Sequence, residues 1–419
     1  MKGTCLNSSG SGDRSSGRGE PEKKSLEQVA CYLSLIAVQN SGLPDLFAKH
    51  VRPRVVSGAG CVERVGEIAG ELGGKSVLLV TDAGIVRAGH AARVENSLRA
   101  AGMTVTTFPD VRENPTTRDV DACVSVARTA KIDLIVGLGG GSSMDTAKGT
   151  NFLLTNGGQM QDYWGVGKAN KRMLPIIAIP TTAGTGSEMQ CAALIADEVT
   201  HQKMACLDSK VLARVAILDP QLTLSQPTRV AACTGIDAVA HALETAVTKK
   251  RTEQSQAFSR EAFHLCVEAL PKILTMPDDL GARARMQLGA AFAGAAIEHS
   301  MLGAAHAAAN PLTAHYGVVH GHAVGIMLPA VIRFNALDTE TRAAYEALGM
   351  PVDELATRIE SLLSIALVPR SLAEFDIPRQ DIFRLAGEAA KQWTAGFNPR
   401  SVGVEEFIGL YEQAFAPHS

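Results

Sequence analysis

An aspartate and three histidines in the second half of the chain, Asp237, His241, His306 and His320, have the makeup of a metal-ligand set. Asp237 and His241 stand in Gly235-Ile-Asp-Ala-Val-Ala-His241, and this i,i+4 spacing puts both on one face of a helix. His306 and His320 follow fourteen residues apart, in Gly303-Ala-Ala-His306 and Val319-His320-Gly321. One carboxylate and three imidazoles suit a borderline divalent ion such as Fe(II), Zn(II) or Mn(II). Apolar Ile236, Val239, Ala240 and Leu243 surround the first pair, which disfavours a merely solvated one. Seven of the eleven histidines lie between positions 241 and 322, a concentration that favours a site. His322, two residues past His320, is the reserve candidate, as a partner to the ligands or a proton acceptor. His264, His299 and His315 are read as surface or core residues.

The first half carries two loops of a different chemistry. Leu134-Ile-Val-Gly-Leu-Gly139-Gly140-Gly141-Ser142-Ser143 reads as a strand, a triple glycine and the start of a helix. Such a turn lets backbone N–H groups approach a pyrophosphate, and the helix N-terminus adds favourable partial charge. Ile179-Pro-Thr181-Thr182-Ala-Gly184-Thr185-Gly186-Ser187-Glu188 is a second small-residue loop after a strand, suited to cradle phosphate and nicotinamide. Asp82 follows the strand ending Leu79-Val80-Thr81, where a carboxylate can accept from ribose hydroxyls and would repel a 2′-phosphate, favouring NAD over NADP. In an ordinary dinucleotide unit the acidic residue follows the glycine turn by about twenty residues. Here it precedes that turn by more than fifty. A conventional dehydrogenase layout is therefore not expected.

These groups need two kinds of scaffold. Between about Arg54 and Asp219, apolar strands are expected at Ser76–Thr81, Thr104–Phe108, Leu134–Leu138 and Ile176–Ile179. Helical patterns at Cys61–Leu72, His90–Ala101 and Arg118–Thr129 alternate with them, which implies a parallel sheet covered by helices. After Asp219-Pro220, long Ala/Leu/Glu-rich segments follow: Arg229–Val247, Thr252–Leu274, Leu280–His299, Ala323–Phe334 and Gln380–Trp393. The second domain is expected to be all-helical. The reading is thus a tail over 1–24, rich in Ser, Gly and charge and expected to be disordered; an α/β domain over 25–219; and a helical domain over 220–419. An amphipathic helix from Leu26 to about Gln39, behind a Ser25/Gln28 capping box, opens the first domain.

Composition excludes several classes. At 419 residues the chain is long for a single core, and its net charge of −3 gives no footprint for nucleic acid or a polybasic membrane anchor. The eight cysteines are scattered without a CxxC pair, as in a reduced cytoplasmic protein. No uninterrupted apolar stretch reaches membrane-spanning length, and the N-terminus lacks the order of a signal peptide.

The motifs Gly139-Gly-Gly-Ser-Ser-Met-Asp-Thr-Ala-Lys148, Pro180-Thr-Thr-Ala-Gly-Thr-Gly-Ser-Glu188, Gly235-Ile-Asp-Ala-Val-Ala-His-Ala-Leu-Glu244 and the His306/His320 segment stand in this order over roughly residues 50–415. In this the chain resembles the iron-containing (group III) alcohol dehydrogenase family, whose fold is dehydroquinate-synthase-like. The resemblance implies an α/β domain that binds a dinucleotide, a helical domain that holds a catalytic metal, and an active site between them. It puts the metal ligands on Asp237, His241, His306 and His320. It puts coenzyme contacts on Asp82, Gly139, Gly140, Ser142, Thr181, Thr182 and Thr185, with Gly141 in the same turn. Lys203 corresponds to a ribose-binding lysine, and Asn114-Pro115-Thr116 resembles an asparagine–proline turn beside the coenzyme. Members of the family are commonly dimers or larger. One departure concerns Asn310: many members carry a histidine there, near the nicotinamide, and asparagine cannot shuttle a proton near neutral pH.

The implied reaction is metal-assisted hydride transfer between NAD(H) and a small primary alcohol or aldehyde, with Fe(II) the family's usual ion and Zn(II) also compatible. Met301, Leu302, Leu312 and Tyr316 suggest an apolar pocket. Two other activities on the same scaffold match the sequence less well. A hydroxyacid–oxoacid transhydrogenase or oxoacid reductase wants a basic residue near the metal, and none lies between His306 and His320. A dehydroquinate-synthase-like lyase fits the fourth histidine and the Thr181–Glu188 loop less well.

Overall fold

Strands that are apolar at nearly every position must be buried on both faces, and that requirement builds the first half of the molecule. The computed structural model describes residues 53–200 and 202–415. The expected tail and the helix over 26–39 lie outside them. The sheet-bearing half runs β1 (Arg54–Ser57), α1 (Val65–Glu71), β2 (Ser76–Val80), α2 (Ala83–Arg87), α3 (His90–Ala100), β3 (Thr104–Phe108), α4 (Thr117–Ala130), β4 (Leu134–Gly139) and α5 (Gly141–Asn156). It continues through β5 (Gly165–Val166), β6 (Ile176–Pro180), β7 (Ala192–Ala196), β8 (Lys203–Leu207) and β9 (Val215–Leu218).

Six of these strands form one parallel sheet in the order β1-β9-β6-β4-β2-β3. Its side chains divide by the two-residue pleat. Val77 and Leu79 of β2, with Val136 and Leu138 of β4, face a core shared with Val65 and Ile68 of α1 and Val94 and Leu98 of α3. Leu78 and Val80, with Ile135, face the opposite core, shared with Val120, Cys123 and Val124 of α4 and Met144 and Ala147 of α5. The chain reverses its direction of travel across the sheet at β2 and β4. In open α/β sheets the carboxyl ends of strands at such a point form the ligand crevice.

The four strands expected from sequence are present. The sequence reading did not single out β1, β9 or the separate sheet β5-β8-β7, whose β7 and β8 pair antiparallel. Ala192–Ala196 and Lys203–Leu207 contain too many small or polar residues to announce a strand by composition.

The second half is helical: α6 (Thr228–Val247), α7 (Glu253–Thr275), α8 (Leu280–Glu298), α9 (Ala304–Tyr316), α10 (His320–Asn335), α11 (Thr339–Glu346), α12 (Val352–Ile365), α13 (Ile382–Ala389) and α14 (Val404–Phe415). Among the described residues α6 alone is long and apolar enough to cross a membrane, and it is packed inside the protein. Glycine lets backbones meet at its crossings. A methyl group on Gly321 of α10 would stand 2.1 Å from the Cys233 carbonyl of α6, and one on Gly235 would stand 2.4 Å from Leu270 of α7.

The two halves join through similar contacts. A Cβ on Gly294 of α8 would lie 2.3 Å from the Gly186 carbonyl, and one on Gly184 would lie 2.4 Å from Thr234 of α6. Gln287 of α8 donates Nε2–H to the Pro180 carbonyl at 3.1 Å, at the end of β6. In an ordinary helix interior, glycine to alanine raises stability by about 1 kcal/mol. For Gly294→Ala we expect the opposite sign, a loss of about 1–3 kcal/mol from forced separation of the halves, read as a lower denaturant midpoint.

Candidate metal and nucleotide site

Helix α6 carries Asp237, His241 and Glu244 at i, i+4 and i+7, one stripe of one face. All three are buried. His306 enters from the first turn of α9, and His320 is the first residue of α10. One oxygen of Asp237, Oδ1, lies 3.5 Å from His241 Nε2 and 3.4 Å from His306 Nε2. The His241 and His306 rings stack with centroids 4.9 Å apart, and the half-buried His320 ring stands 5.4 Å from that of His306. Ligand atoms of Asp237, His241 and His306 all lie within 4.8 Å of one another. His320 stands at the edge of this triplet rather than inside it.

Glu244 explains the polarity of the cluster. Its Oε2 accepts from His306 Nδ1 at 2.5 Å, and its Oε1 accepts from the Ala305 amide at 2.7 Å. Nδ1 must be the donor, since a carboxylate only accepts. A neutral His306 therefore presents the lone pair of Nε2 to the lone pairs of Asp237 Oδ1. Both atoms are buried without a hydrogen-bond partner. Two acceptors facing each other in a buried site require a positive charge between them, either a proton or a cation.

The surrounding electrostatics match. Burial pushes His241 down and takes His320 to about 3, with the charges of His306, Lys203 and His241 adding to the effect on His320. Both imidazoles are thus held as neutral electron-pair donors. Burial would also lower His306, but the Glu244 carboxylate, assisted by Asp237, overcomes it and holds that ring at about 9, so without a metal ion a proton takes the place between Nε2 and Asp237 Oδ1 that a cation would fill. Burial would raise Asp237, yet His241, His306 and His320 keep it well below the usual carboxylate range. One ionised carboxylate, imidazole nitrogens and orphaned lone pairs fit a divalent ion of the iron and zinc type.

The residues expected to bind the nucleotide converge at the carboxyl ends of β2, β4 and β6. Asp82 caps α2, its Oδ1 accepting from the amides of Gly84 and Ile85 at 2.7 and 3.0 Å. Its Oδ2 faces the glycine turn, 3.4 Å from where a Gly139 Cβ would stand. Gly139 has φ +146°, and a side chain there would meet Ser143 Oγ at 2.3 Å. Cβ atoms on Gly140 and Gly141 would touch Thr182 at 3.5 Å and Thr185 at 3.1 Å, so the two loops lie against each other. The Thr181 amide donates to the Gly139 carbonyl at 3.0 Å. Asn114, at φ +52°, donates its amide to Ser142 Oγ at 3.3 Å. Gly140 caps α5 with no side chain covering the first amides, which suits the cradle to a phosphate anion. Adjacency of β2 and β4 explains why Asp82 lies far before the glycines in sequence yet beside them in space.

Several expectations need correction. His322 is buried, its Nε2 donates to the Pro369 carbonyl at 2.6 Å and its ring packs on Phe375. Two residues of helix turn it from the face of His320, so it anchors α10 instead of serving the cluster. Leu312 is wholly buried core, and the Tyr316 hydroxyl bonds to Asp381, so neither lines a pocket by the ligands. Asn310 Nδ2 donates to Gln392 Oε1 at 3.0 Å. Lys203 is exposed at the start of β8.

Sequence reasoning missed Glu244, although its place three residues after His241 on the ligand stripe was a usable signal. The Glu244→Gln variant should keep the fold and weaken divalent-ion affinity about 10- to 100-fold, measured by titrating Zn(II) against a chromophoric chelator. Unchanged affinity would remove Glu244 from the site.

Comparison with known proteins agrees with this geometry. Residues 52–220 match the family described as iron-containing alcohol dehydrogenase, and residues 231–415 match the C-terminal part of the same family. The NAD-dependent methanol dehydrogenase of Bacillus methanolicus is 34% identical over 375 residues, 87% of this chain and 98% of that protein. A crystal structure of 1,3-propanediol oxidoreductase superposes with a TM-score of 0.83 at 31% identity, covering 88% of this chain and 99% of that one. A sulfoacetaldehyde reductase from Bifidobacterium kashiwanohense, solved in complex with NAD+, gives 0.82 at 27% identity, over 89% and 99% of the two chains. With both halves matched, and the ligand cluster and glycine cradle in the same compact unit, the chain belongs to the iron-containing alcohol dehydrogenase family.

Proposed function

We propose that this alcohol dehydrogenase interconverts a small primary alcohol and its aldehyde with NAD(H), using a divalent ion, Fe(II) by preference, held by Asp237, His241, His306 and His320. The observation that carries the reading is the pair of orphaned acceptors, Asp237 Oδ1 and His306 Nε2, facing each other in a buried site. When bound, the ion would supply Lewis acidity toward the substrate oxygen and the nicotinamide would supply the hydride exchange.

The protein's part is placement and charge. Glu244 fixes His306 as a donor through Nε2, and burial keeps His241 and His320 unprotonated. Gly139, Gly140 and Gly141 leave room for the pyrophosphate, with Ser142, Asn114, Thr181, Thr182 and Thr185 around them. The free oxygen of Asp82 would accept from the adenosine ribose, and Lys203 would approach the second ribose. Asn310, tied to Gln392, does not carry protons, so a proton would leave through water or a coenzyme hydroxyl. The relatives' names, methanol and 1,3-propanediol among them, favour a short alcohol. A homodimer or larger assembly in the cytoplasm goes with this reading.

The His306→Ala variant should lose both bound iron and turnover, at least 1,000-fold in kcat/KM, or about 4 kcal/mol of transition-state stabilisation. Full metal content with retained turnover would refute the ligand set. Asp82→Asn should keep the helix cap but narrow the preference for NADH over NADPH. Wild-type protein that turns over both coenzymes equally would deprive Asp82 of this role.

A further inference from the structure

Lys148 takes no part in the chemistry above, yet its side chain is only 1% exposed. It projects from α5, two turns beyond the glycine cradle. Its Nζ donates to the Ser187 carbonyl at 2.8 Å, to Ser187 Oγ at 2.9 Å and to the Ala192 carbonyl at 2.9 Å. All three N–H donors are thereby used. Among the described residues no carboxylate forms an ion pair with it. Asp145, on the same helix, is buried 3.5 Å from Ser187 Oγ, and its charge and that of Lys148 favour each other's ionised form. An apolar side chain would fill this space without burying a charge. What the ammonium adds is a three-point fix on the segment 187–192.

That segment ends the threonine loop, whose start is fixed by the Thr181 amide on the Gly139 carbonyl. Between the two anchors the loop has two working sides. Thr182 and Thr185 lie against Gly140 and Gly141, and Gln190 Nε2 donates to the Thr185 carbonyl at 2.8 Å. On the other side Gly184 packs on α6, the helix that carries Asp237 and His241: a Cβ on it would stand 2.4 Å from Thr234. One loop therefore touches both the coenzyme cradle and the helix that bears two of the ligand residues, and Lys148 holds its far end.

We propose that Lys148 is a positioning residue that couples the two sites, pinning Ser187 and Ala192 so that the 182–186 loop stays against the glycine turn and the ligand-bearing helix α6 together. This rests on the function proposed above. The test uses Co(II)-loaded full-length protein, whose visible absorption reports ligand geometry, and NADH fluorescence titration. Wild-type protein that binds neither Co(II) nor NADH would overturn the functional reading, and this inference with it. Given wild-type binding, Lys148→Met should raise the NADH Kd about 10-fold and shift the Co(II) bands. Ser187→Ala, which removes one of the three acceptors, should move both in the same direction by less. Wild-type Kd and spectrum in the folded variants would overturn the inference, even with a lowered Tm. So would weaker NADH binding with an unchanged spectrum, which would leave a local prop and no coupling. Should Lys148→Met fail to fold, Ser187→Ala decides by the same two readouts.

Discussion

A buried carboxylate oxygen facing an imidazole lone pair is a charge problem that neither group can solve alone. The Asp237–His306 pair creates this problem because Glu244 takes the His306 proton position on the other nitrogen. Everything nearby sustains the arrangement. Glu244 also binds the Ala305 amide, so the carboxylate that orients the imidazole also caps the helix bearing it. Asn398 accepts from the neighbouring Ala304 amide and exchanges hydrogen bonds with Asn335 of α10. The entry of α9 is therefore held by polar groups that are themselves satisfied, and ligand direction is set by the protein before any ion arrives.

Around this cluster, missing side chains matter as much as present ones. Gly139, Gly140 and Gly141 open the cradle, Gly184 lets its loop meet Thr234 of α6, and Gly321 lets α10 approach α6 until its neighbour His320 stands by the ligands. The glycines serve different purposes. Gly139 and Gly186 need positive φ, whereas Gly294 and Gly321 sit in ordinary helices and are needed only for close approach.

How much of this was legible follows from what each feature depends on. Periodic apolar strands and long helices are local patterns, so the parallel sheet, the helical half and the ligand motif on α6 could be read directly. Asp82 was legible as a strand-end carboxylate, but its nearness to Gly139 depends on β2 and β4 being neighbours, which no local pattern states. His322 misled because sequence proximity to His320 is not proximity on a helix. Glu244 and Lys148 were visible as letters within motifs, but their roles rest on hydrogen bonds made across 61 and 39 residues.

The contact of Gly186 with Gly294 bears on how the molecule can be divided. All described residues fall in one compact unit, and at this point of the seam between sheet and helices peptide groups press directly together, while Gln287 reaches Pro180 and Glu298 the Cys191 amide. Removing either wall would leave those groups without the partners that cover them. Severing the chain after Asp219 would not release a nucleotide-binding module; it would strip the threonine loop of its backing. Sheet and helices are thus parts of one cooperative body, and the candidate site belongs to that body's interior architecture rather than to a hinge between separable pieces.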